Sequence, residues 1–134
     1  MTGHRPRRPA PADGRPPGRA VLIAAVRTTA GAAVAIADGA DMIDGTVLSD
    51  QAAAAIRARH PGGRLWEGVP AAVDADGQDP GGPVAAAVAR AAVLTWLGTP
   101  AIRTRHVRPV RRAIDMTSSI AGTRLPSLTT RGLG

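Results

Sequence analysis

The sequence predicts an α/β fold built on parallel strands. Three observations carry that reading. Short apolar runs of strand length alternate along the chain with Ala-rich stretches of helix length. The first run, Ala20-Val21-Leu22-Ile23-Ala24-Ala25-Val26, is apolar at every position, which suits a strand with both faces covered. Gly and Pro fall where helices should start and stop, at Gly39, Pro61-Gly62-Gly63, Pro83 and Gly98.

The elements follow in order. Ala20–Val26 is the first strand, and Arg27-Thr28-Thr29 ends it and offers a Thr as helix cap. Ala30 to Ala37 is a helix stopped by Gly39. Asp41-Met42-Ile43-Asp44-Gly45 is the second strand. Ser49 or Asp50 caps a helix from Gln51 to His60, with Ile56 inward and Arg57 and Arg59 in water. Arg64 to Val69 is a third strand with Glu67 near its end.

Residues 70–82 are rich in Asp, Gly and Pro and predict a long loop. Asp74, Asp76 and Gly77 match part of a calcium-loop spacing, but the other ligands and the closing Glu are missing. A solvated acidic loop is therefore expected. Pro83 is a good first residue for a helix over Val84–Leu97, with Val84, Val88, Ala91 and Leu94 or Thr95 inward. Ala101 to Arg105 is the fourth strand. The last helix runs from Arg108 to Ile120, with Val110, Ile114, Thr117 and Ile120 as its apolar stripe and Gly122 as its end.

Strands alternating with helices imply a parallel sheet with right-handed crossovers. About four βα units make half of a (β/α)8-type barrel. A half barrel leaves two raw sheet edges and an uncovered core face. The expectation is a flattened open sheet or completion by dimerisation. Residues 19–122 form the single α/β domain in this reading. Residues 1–18 are a basic Pro/Arg tail, expected to be disordered, and residues 123–134 a flexible tail.

Composition bounds the chemistry. The 134 residues contain no Cys, Phe or Tyr, and Trp66 and Trp96 are the only aromatic rings. Without Cys there is no disulfide and no thiolate metal site or nucleophile. All seventeen basic residues are Arg, and Lys and Asn are absent. That bias follows GC-rich codon usage, so the Arg excess is not itself a functional signal. The net charge of +7 sits at the two ends of the chain, where it attracts polyanions in general. No apolar run reaches the length needed to span a bilayer. The run at Ala20–Val26 is too short for a signal peptide and leads into the domain. A soluble, cytoplasmic protein without membrane association is the expectation.

Ligands of parallel α/β folds bind beyond the carboxyl ends of the strands. Arg27, Thr28, Asp44, Thr46, Glu67, Arg103, Arg105 and His106 fall there. Alternation puts Arg103 and Arg105 on one face of the fourth strand, beside a helix N-terminus. Two guanidiniums in that position suit an oxyanion or phosphate. Asp44 suits the amino and ring N–H groups of a heterocycle. Asp44, Arg103, Arg105 and His106 are thus the candidate ligand-binding residues. A structural salt bridge from Arg103 to Asp44 or Glu67 is the plainer alternative. No Ser-His-Asp order, metal spacing or glycine-rich phosphate loop is present.

The stretch Ile102-Arg103-Thr104-Arg105-His106-Val107, followed by Arg112-Ala113-Ile114-Asp115-Met116, resembles the last strand and helix of dihydropteroate synthase, the pterin-binding (β/α)8 enzyme of folate synthesis. Gly39-Ala40-Asp41-Met42-Ile43-Asp44-Gly45 is similar to that family's G-A-D-I-I-D-V-G, and the helix from Gly82 to Gly98 looks like its penultimate helix. The similarity covers residues 20–48 and 82–121 in family order. It implies a pterin ligand with Asp44 and Arg103 in its site. The family's first-strand Asn and Asp, its Lys and its central strands have no counterpart, which implies a shortened protein lacking full catalysis.

Such a protein would bind a pterin or another small anionic, phosphate-bearing molecule, or assist a full-length paralogue, as a homo-oligomer or beside that partner. It needs no cofactor; only an active pterin-condensing transferase, assembled as a dimer, would call for Mg. The alternative from another class is a basic interaction module. There Arg7, Arg8, Arg108, Arg111 and Arg112 bind nucleic acid or an acidic protein.

Overall fold

The computed structural model describes residues 19–62, 65–78 and 81–131, with side chains to residue 122. The tail expected over residues 1–18 lies outside them. The first apolar run forms β1 (Val21–Ala24), and Thr28 caps α1 (Thr29–Ala37) by accepting from the Gly31 N–H. β2 (Met42–Asp44) leads through a 3-10 turn at Gly45–Val47 to α2 (Asp50–Arg59), capped by Ser49. β3 (Leu65–Trp66) and β4 (Val73–Asp74) follow, then α3 (Val84–Trp96), β5 (Ala101–Thr104) and α4 (Val107–Arg131).

The five strands are all parallel, in the order β3-β2-β1-β5-β4. The α/β class and parallel sheet agree with the sequence. The fifth strand does not: β4 lies inside the stretch expected to be loop. Two residues of strand flanked by Gly and Pro carry no readable period, so only pairing with β5 defines it.

All four helices cover one face. Ala32, Ala35, Ile56, Ala87, Ala91, Val107, Val110 and Ile114 form one buried cluster with Leu22, Ala24, Ile43 and Ile102 of the sheet. Small Ala side chains let the helix axes come close, and each large aliphatic side chain contributes roughly 2 kcal/mol on burial. Two expected stripes are shifted. In α3 the buried positions are Ala87, Ala91 and Thr95, and Val84 is exposed. In α4, Ile120 is 54% exposed, while Val107 and Arg111 are buried. The α4 backbone also stays helical past Gly122, the expected stop, to Arg131.

The steps β1 to β2, β2 to β3 and β4 to β5 run one way across the sheet. The step β3 to β4 runs back from edge to edge. Right-handed crossovers therefore place it on the face opposite the helices. Four strand gaps span about 19 Å, and seven chain steps reach about 24 Å, so this link is close to taut. Its two ends, Trp66 and Ala72, pack with Met42 against Val21, Ile23 and Ala101. Trp66 Nε1 also donates to the Pro70 carbonyl at 2.7 Å, beside a cis Val69–Pro70 bond. Val21, Ile23 and Ala101 are buried in the single chain. The helix-free face is thus not the uncovered surface expected of a half barrel.

Candidate functional site at the strand ends

Period-two alternation puts Ile23 of β1, Asp44 of β2, Asp74 of β4 and Arg103 of β5 on the helix-free face. Parallel register sets Ile23 beside Arg103 and Arg103 beside Asp74. Arg103 thus stands between β1 and β4, and its side chain crosses β1 to reach Asp44. Arg103 Nε donates to Asp44 Oδ2 at 2.6 Å, and Nη1 donates to Asp74 Oδ2 at 3.0 Å. Nη2 has no hydrogen-bond partner among the described residues.

Asp44 is the fixed end of this group. Its carboxylate is 1% exposed, and Oδ1 accepts from the Thr46 N–H at 2.9 Å and the Thr46 hydroxyl at 2.6 Å. Burial pushes the Asp44 pKa up, but the Thr46 and Arg103 hydrogen bonds, with the Arg103 charge, outweigh it, so the net shift is downward. For Arg103, burial acts to lower the pKa, and the bonds and charges of Asp44 and Asp74 reverse that and raise it. Both groups are held in their charged forms.

Asp76 closes the second half of the site. Its Oδ1 accepts from the Thr104 hydroxyl, and its Oδ2 accepts from the Arg105 N–H at 2.8 Å and pairs with Arg105 Nε at 3.4 Å. Thr104 Oγ1 then accepts from the His106 N–H at 2.9 Å, which ties β5 to the start of α4. The Asp76 N–H donates to Asp74 Oδ1 at 2.9 Å. Gly77 turns the chain at a φ of +71°, with the Arg90 guanidinium packed where a Cβ would stand.

The structure thus brings Asp44 and Arg103 together and places Arg105 beside them. His106 joins only through its backbone. Glu67 does not join: it is exposed and pairs with Arg57 at 3.4 Å. Arg27 is exposed, and Thr28 serves as a helix cap. The acidic residues 74 and 76 are no solvated loop. The guanidiniums of Arg103 and Arg105 meet the carboxylates of Asp44, Asp74 and Asp76, and the Arg90 guanidinium lies by the same turn, donating to Ala75 O at 3.3 Å. Asp74 and Asp76 have a readable signal. Acids two apart match arginines two apart, the pattern of neighbouring parallel strands. Among the described residues no group of three or more His, Cys, Asp or Glu is placed to hold a metal ion.

The basic helix face changes too. Arg111 is 8% exposed, and its Nη1 donates to Gly39 O at 3.2 Å and Asp41 Oδ2 at 3.0 Å. Its Nη2 lies 3.2 Å from Asp115 Oδ1 but off the hydrogen-bond line, so that attraction is ionic only. Asp41 Oδ2 also accepts from the Leu22 N–H. Arg111 is therefore a buried tie between α4 and the sheet, unavailable to a polyanion. Arg108 pairs with Asp38 at 3.5 Å, and Arg112 is exposed. No helix among the described residues is long and apolar enough to cross a membrane. No protein-family model matches the chain, and no curated protein or solved structure matches it.

Proposed function

We propose that the protein is a shortened, dihydropteroate synthase-like scaffold that has lost catalysis and binds a pterin-type heterocycle at its strand ends. The observation that carries this is the Arg103 guanidinium, held by Asp44 and Asp74 with its side chain 25% exposed. A guanidinium fixed in this way offers a planar face on which an aromatic ring can stack. Asp74, at 40% exposure, can accept from the ring's amino and N–H groups. Asp44 positions Arg103 and is too buried to touch the ligand.

Topology supports the reading. The stretches with the family resemblance fall on β1–α1–β2 and on α3–β5–α4, and β5 lies beside β1. First and last strands meet in that way in a closed barrel. The order β3-β2-β1-β5-β4 is what a (β/α)8 barrel would keep if the helix of its third unit and its fourth to sixth units were replaced by a strap. Loss of catalysis fits the site, because a leaving diphosphate needs several free donors and a metal, and here both arginines are already paired. The two edge strands, β3 and β4, have two residues each, which gives a completing partner little backbone to pair with.

The test is calorimetric titration of the full chain with a reduced pterin. An open site with a ligand of roughly a dozen heavy atoms, at about 0.3 kcal/mol per atom, predicts a Kd of about 2 mM. Saturable binding that Arg103→Gln abolishes supports the proposal. A folded protein that takes up no pterin at millimolar ligand rejects it.

A further inference from the structure

We propose that Asp74 is a specificity residue that keeps anions off Arg103, so that the strand-end site takes uncharged heterocycles and refuses phosphate-bearing molecules. The ligand class rests on the reading above; the exclusion of anions rests on the geometry alone. Arg103 has two carboxylate partners of different kinds. Asp44 is 1% exposed and accepts three hydrogen bonds, from Arg103 Nε and from the N–H and hydroxyl of Thr46. No solute can displace it. Asp74 is 40% exposed and lies on the neighbouring strand directly beside Arg103. Its Oδ2 takes Nη1 at 3.0 Å, and its Oδ1 is held by the Asp76 N–H at 2.9 Å.

An anion approaching the Nη2 edge of Arg103 meets the Asp74 carboxylate beside it, already in contact with Nη1 and already oriented. At Nη1, attachment to the chain gives Asp74 a high effective concentration that a dissolved anion does not match. The anion would also face the carboxylates of Asp44, Asp74 and Asp76, which already engage Arg103 and Arg105. A neutral ring meets neither obstacle. It can lie on the guanidinium face without displacing Asp74, and the Asp74 carboxylate can still accept from its N–H groups. The same residue therefore repels one ligand class and helps to hold the other.

The experiment titrates inorganic phosphate into the full-length chain by calorimetry. It compares the unaltered protein, Asp74→Asn, Asp74→Ala, and Asp74→Ala combined with Arg103→Gln. Circular dichroism checks that each variant is folded, and the isosteric Asp74→Asn carries the test if Asp74→Ala is not. Phosphate held elsewhere on this arginine-rich chain is subtracted with the Arg103→Gln protein. The expected result is at least roughly tenfold tighter phosphate binding when Asp74 is neutralised, lost again on removal of Arg103. The proposal is overturned if the unaltered protein binds phosphate as tightly as the Asp74 variants, or if folded Asp74→Asn binds no more than the unaltered protein. A parallel pterin titration separates the two ideas. No pterin binding beside a gain in phosphate binding would reject the function proposed above and leave the role of Asp74 standing.

Discussion

Asp44 and Arg103, 59 residues apart in the chain, meet at 2.6 Å across β1, on the face of the sheet that carries no helix. The contact joins the second strand to the fifth across the first. It gives the carboxyl end of the sheet a fixed guanidinium, and the stability of that end depends on it.

Arg103→Ala leaves the Asp44 carboxylate buried with only Thr46 to satisfy it. Loss of one member of a buried pair costs about 3–5 kcal/mol; with Arg103 25% exposed, the lower end is expected. Urea unfolding of Arg103→Ala, Asp44→Ala and the double variant should give single losses of about 3 kcal/mol and a clearly smaller loss for the double than the sum. Additive losses would show that the two residues do not stabilise each other.

The same pair sets an acid limit. The Asp44 pKa is lowered in the folded protein. Its contribution is therefore complete above the ordinary aspartate value of about 3.9 and is lost as pH falls through the lower, folded value. Unfolding free energy should drop between about pH 5 and about pH 2, and Asp44→Asn should flatten that part of the curve. An unchanged acid slope in Asp44→Asn would assign the pH dependence to other carboxylates.

Gly39 predicts a sharp local cost. Its φ is +106°, and an added Cβ would stand 2.8 Å from Arg111 Cδ and 2.9 Å from Cγ. Gly39→Ala meets both a disfavoured backbone and a buried side chain with no room to move. A loss of about 2–3 kcal/mol is expected by thermal or urea unfolding.

Neighbouring arginines on α4 should behave differently. Arg111→Ala removes a buried cation from Asp41 and should cost about 3 kcal/mol. Arg112→Ala, at an exposed position, should change stability by less than about 0.5 kcal/mol. Similar effects at both positions would contradict the buried tie.

The longer elements were legible because their signals are local. A Thr cap before α1, a cap at Ser49 or Asp50 before α2, and a strand within Ala20–Val26 follow from residue type and run length; the structure selects Thr28, Ser49 and Val21–Ala24. Period alone admits Ile120 to the α4 stripe, whereas packing on the sheet selects Val107 and a neutralised Arg111. β4 was not legible because a two-residue strand has no period. The site was half legible. Asp44 and Arg103 could be placed at strand ends from the alternation of strands and helices. The pairing of Arg103 with Asp74 and of Arg105 with Asp76 required the strap that carries the chain from β3 back to the far edge.

The most direct measurement is an amide NMR titration of the full chain with a reduced pterin. Shifts should saturate together and cluster at Asp44 to Thr46, Trp66, Asp74 to Asp76 and Arg103 to Arg105, with α2 unmoved. No shifts at millimolar pterin, or shifts centred on the outer faces of α3 and α4, would contradict a ligand platform built on Arg103.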